Sequence, residues 1–223
     1  MTVSTDPGAA ATAAAPVNGS PVRRGGRVWI LVAAALVAGL LLGGALGVLV
    51  PRLSTPGDDS VEAGFLRDMS THHAQAVEMS MIAHADSANP EIVTLSGDIA
   101  LTQHGQIGYM QAWLRDWNLS PTSSQEPMAW MPDSAGSVVN GLMPGMATPE
   151  QLATLRKATG KDLDVQYLTL MRQHHLGGIH MAQEAIKLSD NKDIDWLAGT
   201  MVTAQQGEIT LIDNLLKKIQ ASP

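Results

Sequence analysis

The chain has no cysteine among its 223 residues, only one phenylalanine and two tyrosines, and few charged side chains. Without cysteine there are no disulfides, thiolate zinc sites, iron–sulfur clusters or cysteine nucleophiles. So few aromatics, beside abundant Ala, Leu, Met and Gln, argue against a β-rich core and for helices. Glu-x-x-His is also missing, and with it the inward carboxylate and histidine pattern of a di-iron bundle. Likewise absent are His-Glu-x-x-His, a phosphate-binding glycine loop and a Gly-x-Ser-x-Gly elbow. No catalytic nucleophile can be argued, so the expectation is a binding protein rather than an enzyme. Basic charge is scarce too. Residues 1–50 hold Arg23, Arg24 and Arg27 against Asp6, which leaves 11 Lys and Arg against 20 Asp and Glu in the remainder. An acidic folded part lacks the basic footprint of nucleic-acid binding and mildly favours cations, although the charge also serves plain solubility.

The one long apolar run is Val28 to Val50, free of charge. As a helix it spans about 34 Å, enough to cross a bilayer. Arginine crowds its N-terminal side and only Arg52 follows closely. The positive-inside bias therefore puts residues 1–27, a small-residue segment expected to be disordered, in the cytoplasm and residues 51–223 outside. A cleaved signal peptide is the rival reading. It calls for a shorter apolar core and a better cleavage site than Gly47-Val48-Leu49-Val50-Pro51. Either way the folded part lies outside the cytoplasm.

After a linker at 51–59, periodicity and end signals predict four long helices. They cover about Ser60 to Asp86, Pro90 to Asn118 behind an Asn89 cap, Asp162 to Leu188, and Asp193 to Gln220. The stretch 119–160 between the second and third is rich in proline, glycine and methionine and reads as a long crossover. Within it, Thr148-Pro149-Glu150-Gln151 forms a capping box for a short helix that Gly160 should close.

Residues 65–110 repeat as 167–212 at a constant offset of 102. Phe65 meets Tyr167, Met69 meets Met171, His72-His73 meets His174-His175, Met79 meets Met181, and Gln103 meets Gln205. Two equivalent hairpins, 60–118 and 161–220, make a four-helix bundle. The expectation is that its first and third helices run parallel on opposite corners, with equivalent residues facing each other at one height.

On each of those helices a stripe with helical spacing carries the candidate site: Met69, His72 and Met79 with His73 beside them, and Met171, His174 and Met181 with His175. Four imidazoles in a helical core are costly unless something binds them. Imidazole suits copper, zinc, iron and nickel, while thioether sulfur selects Cu(I), so His with Met and no Cys points to copper, Cu(I) favoured. Hydrogen-bond networks through Gln103 and Gln205 offer the plainer alternative, or those amides support the ligands. His180 is a further candidate. Met143 and Met146 in the crossover are extra thioethers or adaptable apolar plugs.

Phe65-Leu66-Arg67-Asp68-Met69 with His72-His73 and Met79, Met171-Arg172-Gln173-His174-His175 with His180-Met181, and Gly145-Met146-Ala147-Thr148 together resemble a widespread bacterial family. It is the one numbered three hundred and five among domains of unknown function, and it includes CopM-like periplasmic copper-binding proteins. The resemblance covers about residues 60–220. It implies a ferritin-like bundle, an envelope location and, for some members, copper binding through the positions matching Met69, His72, His73, Met79, Met171, His174, His175 and Met181. The family's Gln-x-x-Glu-Ile motif is intact at Gln205 to Ile209, but its first copy carries Gln106 where an acid is usual.

Overall fold

A computed structural model describes residues 25–132, 134 and 136–221. Most of the segment expected to be disordered and cytoplasmic, 1–27, lies outside the described residues. The chain divides into two compact units, Met1–Ser54 and Thr55–Pro223.

The first unit contributes α1, Gly25–Ser54. Its Val28–Gly47 stretch has a mean hydropathy of 2.4 and is unburied, which makes it long and apolar enough to cross a membrane. A signal sequence would meet the same description.

The second unit holds α2 (Val61–Asp86), α3 (Pro90–Asp116), the short α4 (Pro149–Leu155), α5 (Gly160–Leu188) and α6 (Lys192–Ala221). Local chemistry sets these boundaries. Ser60 caps α2 by accepting from the Ala63 amide, and Asn89 caps α3 ahead of Pro90. Thr148 and Gln151 form the reciprocal capping box that starts α4. Gly160 has a different role from the one expected. It opens α5, with φ +54°, rather than closing α4.

The bundle consists of the two expected hairpins, α2–α3 and α5–α6, and is all-helical among the described residues. The relation between the hairpins differs from the expectation. Glu62 of α2 meets Ser189 at the end of α5, His72 meets His174, Ser80 meets Tyr167, and Ser87 meets Asp164 near the start of α5. Position rises along α2 as it falls along α5, so these helices pack directly and antiparallel, not parallel on opposite corners. α3 and α6 also run antiparallel, with Tyr109 against Trp196 at one end and Glu91 paired with Lys218 at the other. The operator relating the hairpins is thus a pseudo-twofold axis across the bundle. Matched contacts display it: Ser87 Oγ donates to Asp164 (2.6 Å), and its counterpart Ser189 Oγ donates to Glu62 (2.7 Å).

This arrangement explains the crossover. α3 ends at the end of the bundle where α2 begins, and α5 begins at the other, so the connection must run the bundle's length. It is pinned as it goes. The Asp68 carboxylate accepts from the Met128 amide (2.6 Å) and from Trp130 Nε1 (2.9 Å). Trp130 lies against Gly64, where a Cβ would come within 2.6 Å of it, and meets the Phe65 ring edge-on. Farther on, the Gln75 amide grips both the N–H and the C=O of Ala147. The Pro144 carbonyl sits so close over Gly177 that any Cβ there would collide with it.

Candidate functional site

The axis passes between His72 and His174. Their rings stack with centroids 3.8 Å apart and planes tilted by 37°. His73 and His175 flank them, and all four side chains are buried. This follows from the repeat: on an antiparallel pair only residues at the crossing point meet their own counterparts, and the His-His doublet is the residue pair at that point.

The methionines are distributed differently. Met69 and Met171 lie three residues, ~4.5 Å of rise, from the axis, and Met79 and Met181 lie ~10 Å away. Because α2 and α5 run oppositely, Met69 joins Met181 in one apolar cluster and Met79 joins Met171 in another. The expectation that all equivalent residues face each other at one height therefore holds for the imidazoles and fails for the thioethers. Met143 is buried and Met146 half-buried against the Met69–Met181 cluster, in the company of Met128 and Met131. His180 is exposed and does not join the buried layer.

The ring nitrogens divide into partnered and unpartnered. His72 Nε2 donates to the Pro144 carbonyl (3.0 Å), His73 Nε2 meets Gln106 Oε1 (2.8 Å), and His175 Nε2 meets Glu208 Oε2 (2.6 Å). Left without any partner, and buried, are His72 Nδ1, His73 Nδ1, His175 Nδ1 and His174 Nε2. Both polar atoms of the Gln103 amide and the Gln205 Oε1 are in the same condition. Gln205 Oε1 lies over Gly178, 2.7 Å from where a Cβ would stand. Buried polar atoms are nearly always satisfied, so this many within about two helical turns of one axis is unusual.

Burial holds three of the imidazoles, those of His72, His73 and His174, neutral. Desolvation is the main cause at His72, pushed down to about 4, where the Pro144 contact partly opposes it and His175 adds to it. His73 is lowered to about 3, again chiefly by desolvation, then by His72. His174 lies well below the ordinary imidazole range for the same first reason. Neutral imidazoles with bare lone pairs are what a metal ion requires. Yet among the described residues no three His, Asp or Glu side chains stand grouped to hold an ion together. The stacked rings of His72 and His174 would have to turn before their lone pairs could converge.

Glu208, Gln106 and the Pro144 carbonyl were not among the expected site residues. The first two were visible as the Gln-x-x-Glu-Ile motif and its altered copy. A backbone carbonyl carries no signature of its own, although Gly145 and Gly177 mark where the chain comes close. Gly145 (φ +81°) packs on the Gln173 carbonyl, as Gly177 does under Pro144.

Fold and site together define a class: an all-helical bundle of two antiparallel-packed hairpins with paired imidazoles buried on the axis between them. The chain belongs to the family described as a domain of unknown function, DUF305, whose sequence pattern matches residues 62–216. A DUF305 protein from Streptomyces coelicolor, described as secreted, is 43% identical; the match covers 74% of this chain and 98% of that one, with a TM-score of 0.68. A DUF305 fragment from Deinococcus radiodurans is 27% identical over 71% of this chain and 96% of its own, TM-score 0.60. CopM in its Cu(I)-bound form is 20% identical over 71% of this chain and 96% of that one, TM-score 0.56. At that identity the likeness to CopM concerns the fold. No curated protein matches the chain.

Proposed function

We propose that the protein is a membrane-anchored, extracytoplasmic metal-binding protein that sequesters or hands on copper, Cu(I) in preference. The imidazoles of His72, His73, His174 and His175 would be the nitrogen donors, and Met69 and Met171, three residues before the doublets on the same helices, would supply thioethers. Met79 and Met181 belong to the same stripes but stand farther from the axis. What carries the reading is the set of four unpartnered ring nitrogens buried in one layer. Three of the rings already spend their other nitrogen on an acceptor, the arrangement by which proteins orient metal-binding histidines. The donor set, imidazole and thioether without thiolate, suits a soft ion. CopM, of the same fold, has been solved with copper bound, which adds support. α1, with arginine on its N-terminal side, would hold the bundle at the outer face of the membrane.

Anaerobic titration with Cu(I), Cu(II), Zn(II) and Fe(II) tests this, with the variant H72Q/H73Q/H174Q/H175Q as control. Tightest binding of Cu(I), lost in the variant, is the expected outcome; equal binding by both proteins would end the proposal. Fusion of a periplasm-dependent reporter enzyme to the C-terminus, with extraction of the membranes at alkaline pH, tests the anchor and its orientation.

One observation favours a second reading, in which the histidines are structural. His72 ties the crossover at Pro144, and His73 and His175 tie each hairpin together, so a non-metal interaction module or accessory subunit would also need them. On that reading the four-histidine variant loses stability but leaves copper tolerance of the cell unchanged.

A further inference from the structure

The two halves of the imidazole layer are related by the pseudo-twofold axis, but their supports differ: His72 Nε2 donates to the Pro144 carbonyl where His174 Nε2 has no partner, and around the flanking rings they differ at two further places. Where the first half has Gln106 against His73, the second has Glu208 against His175. Where the first has Ala76, buried one helical turn from its histidines, the second has Gly178 with the Gln205 carbonyl oxygen resting over it.

These two supports make different demands on the ring they touch. An ionised carboxylate only accepts hydrogen bonds, so a neutral imidazole bonded to it through Nε2 must carry its proton there. Nδ1 is then left as a bare lone pair, and His175 Nδ1 is indeed buried without a partner. An amide is ambivalent, because turning it over presents either its carbonyl oxygen or its NH2 group to the ring. Gln106 thus tolerates either tautomer of His73, including the one whose Nδ1 is blocked by a proton. Glu208 also pushes electron density onto its ring, which raises the donor strength of the opposite nitrogen. On the same side of the layer, Gly178 lets the Gln205 carbonyl oxygen come close.

We infer that Glu208 is a positioning residue that makes the α5–α6 half of the layer the tighter metal-binding half, by locking His175 in the Nε2–H tautomer. This deepens the proposed function and rests on it. The first metal equivalent then goes to the half holding His174 and His175, and the half holding His72 and His73 follows.

The test uses the full-length protein in detergent. Nitrogen-15 NMR of ring-labelled, metal-free protein reads the tautomers directly. His175 should be a single Nε2–H tautomer and His73 a mixture. E208Q should turn the His175 signal into a mixture, E208D should keep it single, and Q106E should make His73 single. In competition with a chromophoric Cu(I) chelator under anaerobic conditions, E208Q should lower the tighter affinity by about 10–100-fold, the range found when such supports are removed. Q106E should bring the weaker half toward the tighter. If the wild type shows His175 as a tautomer mixture, or if E208Q binds Cu(I) as the wild type does while H174Q/H175Q does not, the inference fails and the metal-binding proposal stands. If H174Q/H175Q binds like the wild type while H72Q/H73Q/H174Q/H175Q does not, the inference fails too; only wild-type binding by the four-histidine variant makes the proposed function itself fail.

Discussion

The buried histidines make stability depend on acidity, and His72 allows the size of the effect to be worked out. Its ring is neutral in the fold, with its pKa lowered from 6.5 to about 4 by desolvation. In the unfolded chain it takes up a proton near 6.5. A group whose folded pKa is depressed contributes stability that is complete above its unfolded pKa and lost as pH falls toward the folded value. The window for His72 therefore opens at about 6.5 and closes at about 4. Over that interval the loss is about 1.4 kcal/mol per pH unit, on the order of 3 kcal/mol in all. A domain typically has 5–15 kcal/mol in total, so this is a substantial share. His73, lowered to about 3, and His174, lower still than its ordinary range, extend the loss to more acid conditions. The assay is urea unfolding of residues 55–223, metal-free with chelator present, followed by far-UV circular dichroism at pH values from 7.5 to 4.5. Carboxylates titrate in the lower part of this range, so the informative quantity is the difference between wild type and H72Q, which keeps an amide N–H for the Pro144 carbonyl. The wild type should lose about 2.5 kcal/mol more than H72Q between the ends of the range. Parallel stability curves would refute the claim that His72 is held neutral by burial.

Gly177→Ala should destabilise the second unit by about 1–3 kcal/mol or lift the crossover from its seat, because the new methyl collides with the Pro144 carbonyl; thermal melting and hydrogen exchange at Met146 and Ala147 would read it. Gly199→Ala is the matched control: nothing lies within 4 Å of its Cβ position, so stability should rise by up to about 1 kcal/mol from helix propensity alone. Tyr167→Phe should cost about 1 kcal/mol in urea unfolding by stranding the buried Ser80 hydroxyl, which lies 3.1 Å from the tyrosine oxygen. Trp130→Ala should cost about 3–5 kcal/mol, since it removes an indole packed on Gly64 and Phe65 and frees one Asp68 hydrogen bond.

Much of this fold was legible in the sequence because its determinants are local. Ser60, Asn89 and Thr148 mark helix starts by the hydrogen bonds their side chains accept, and the repeat at offset 102 discloses two equivalent hairpins. Equivalence does not disclose the symmetry operator. A hairpin pattern reads the same whether its copy is rotated about an axis along the bundle or across it, so the antiparallel packing of α2 on α5 could not be read off. The consequence falls on the site. The His doublet lies on the axis and so converges as expected, whereas Met69 and Met171 are carried to opposite sides of it. Gly160 shows the same limit on a smaller scale, since a glycine between two helices can end one or begin the next. The crossover was recognisable as long, and its seat over the imidazoles was not, because that seat is made of the Pro144 and Ala147 backbone held by His72 and Gln75.

X-ray absorption at the copper edge, on protein loaded anaerobically with one equivalent of Cu(I), reads the donor atoms themselves. Imidazole scattering together with sulfur is expected, the imidazole part disappearing in the four-histidine variant. A spectrum of sulfur or oxygen neighbours alone, identical in wild type and variant, would contradict it.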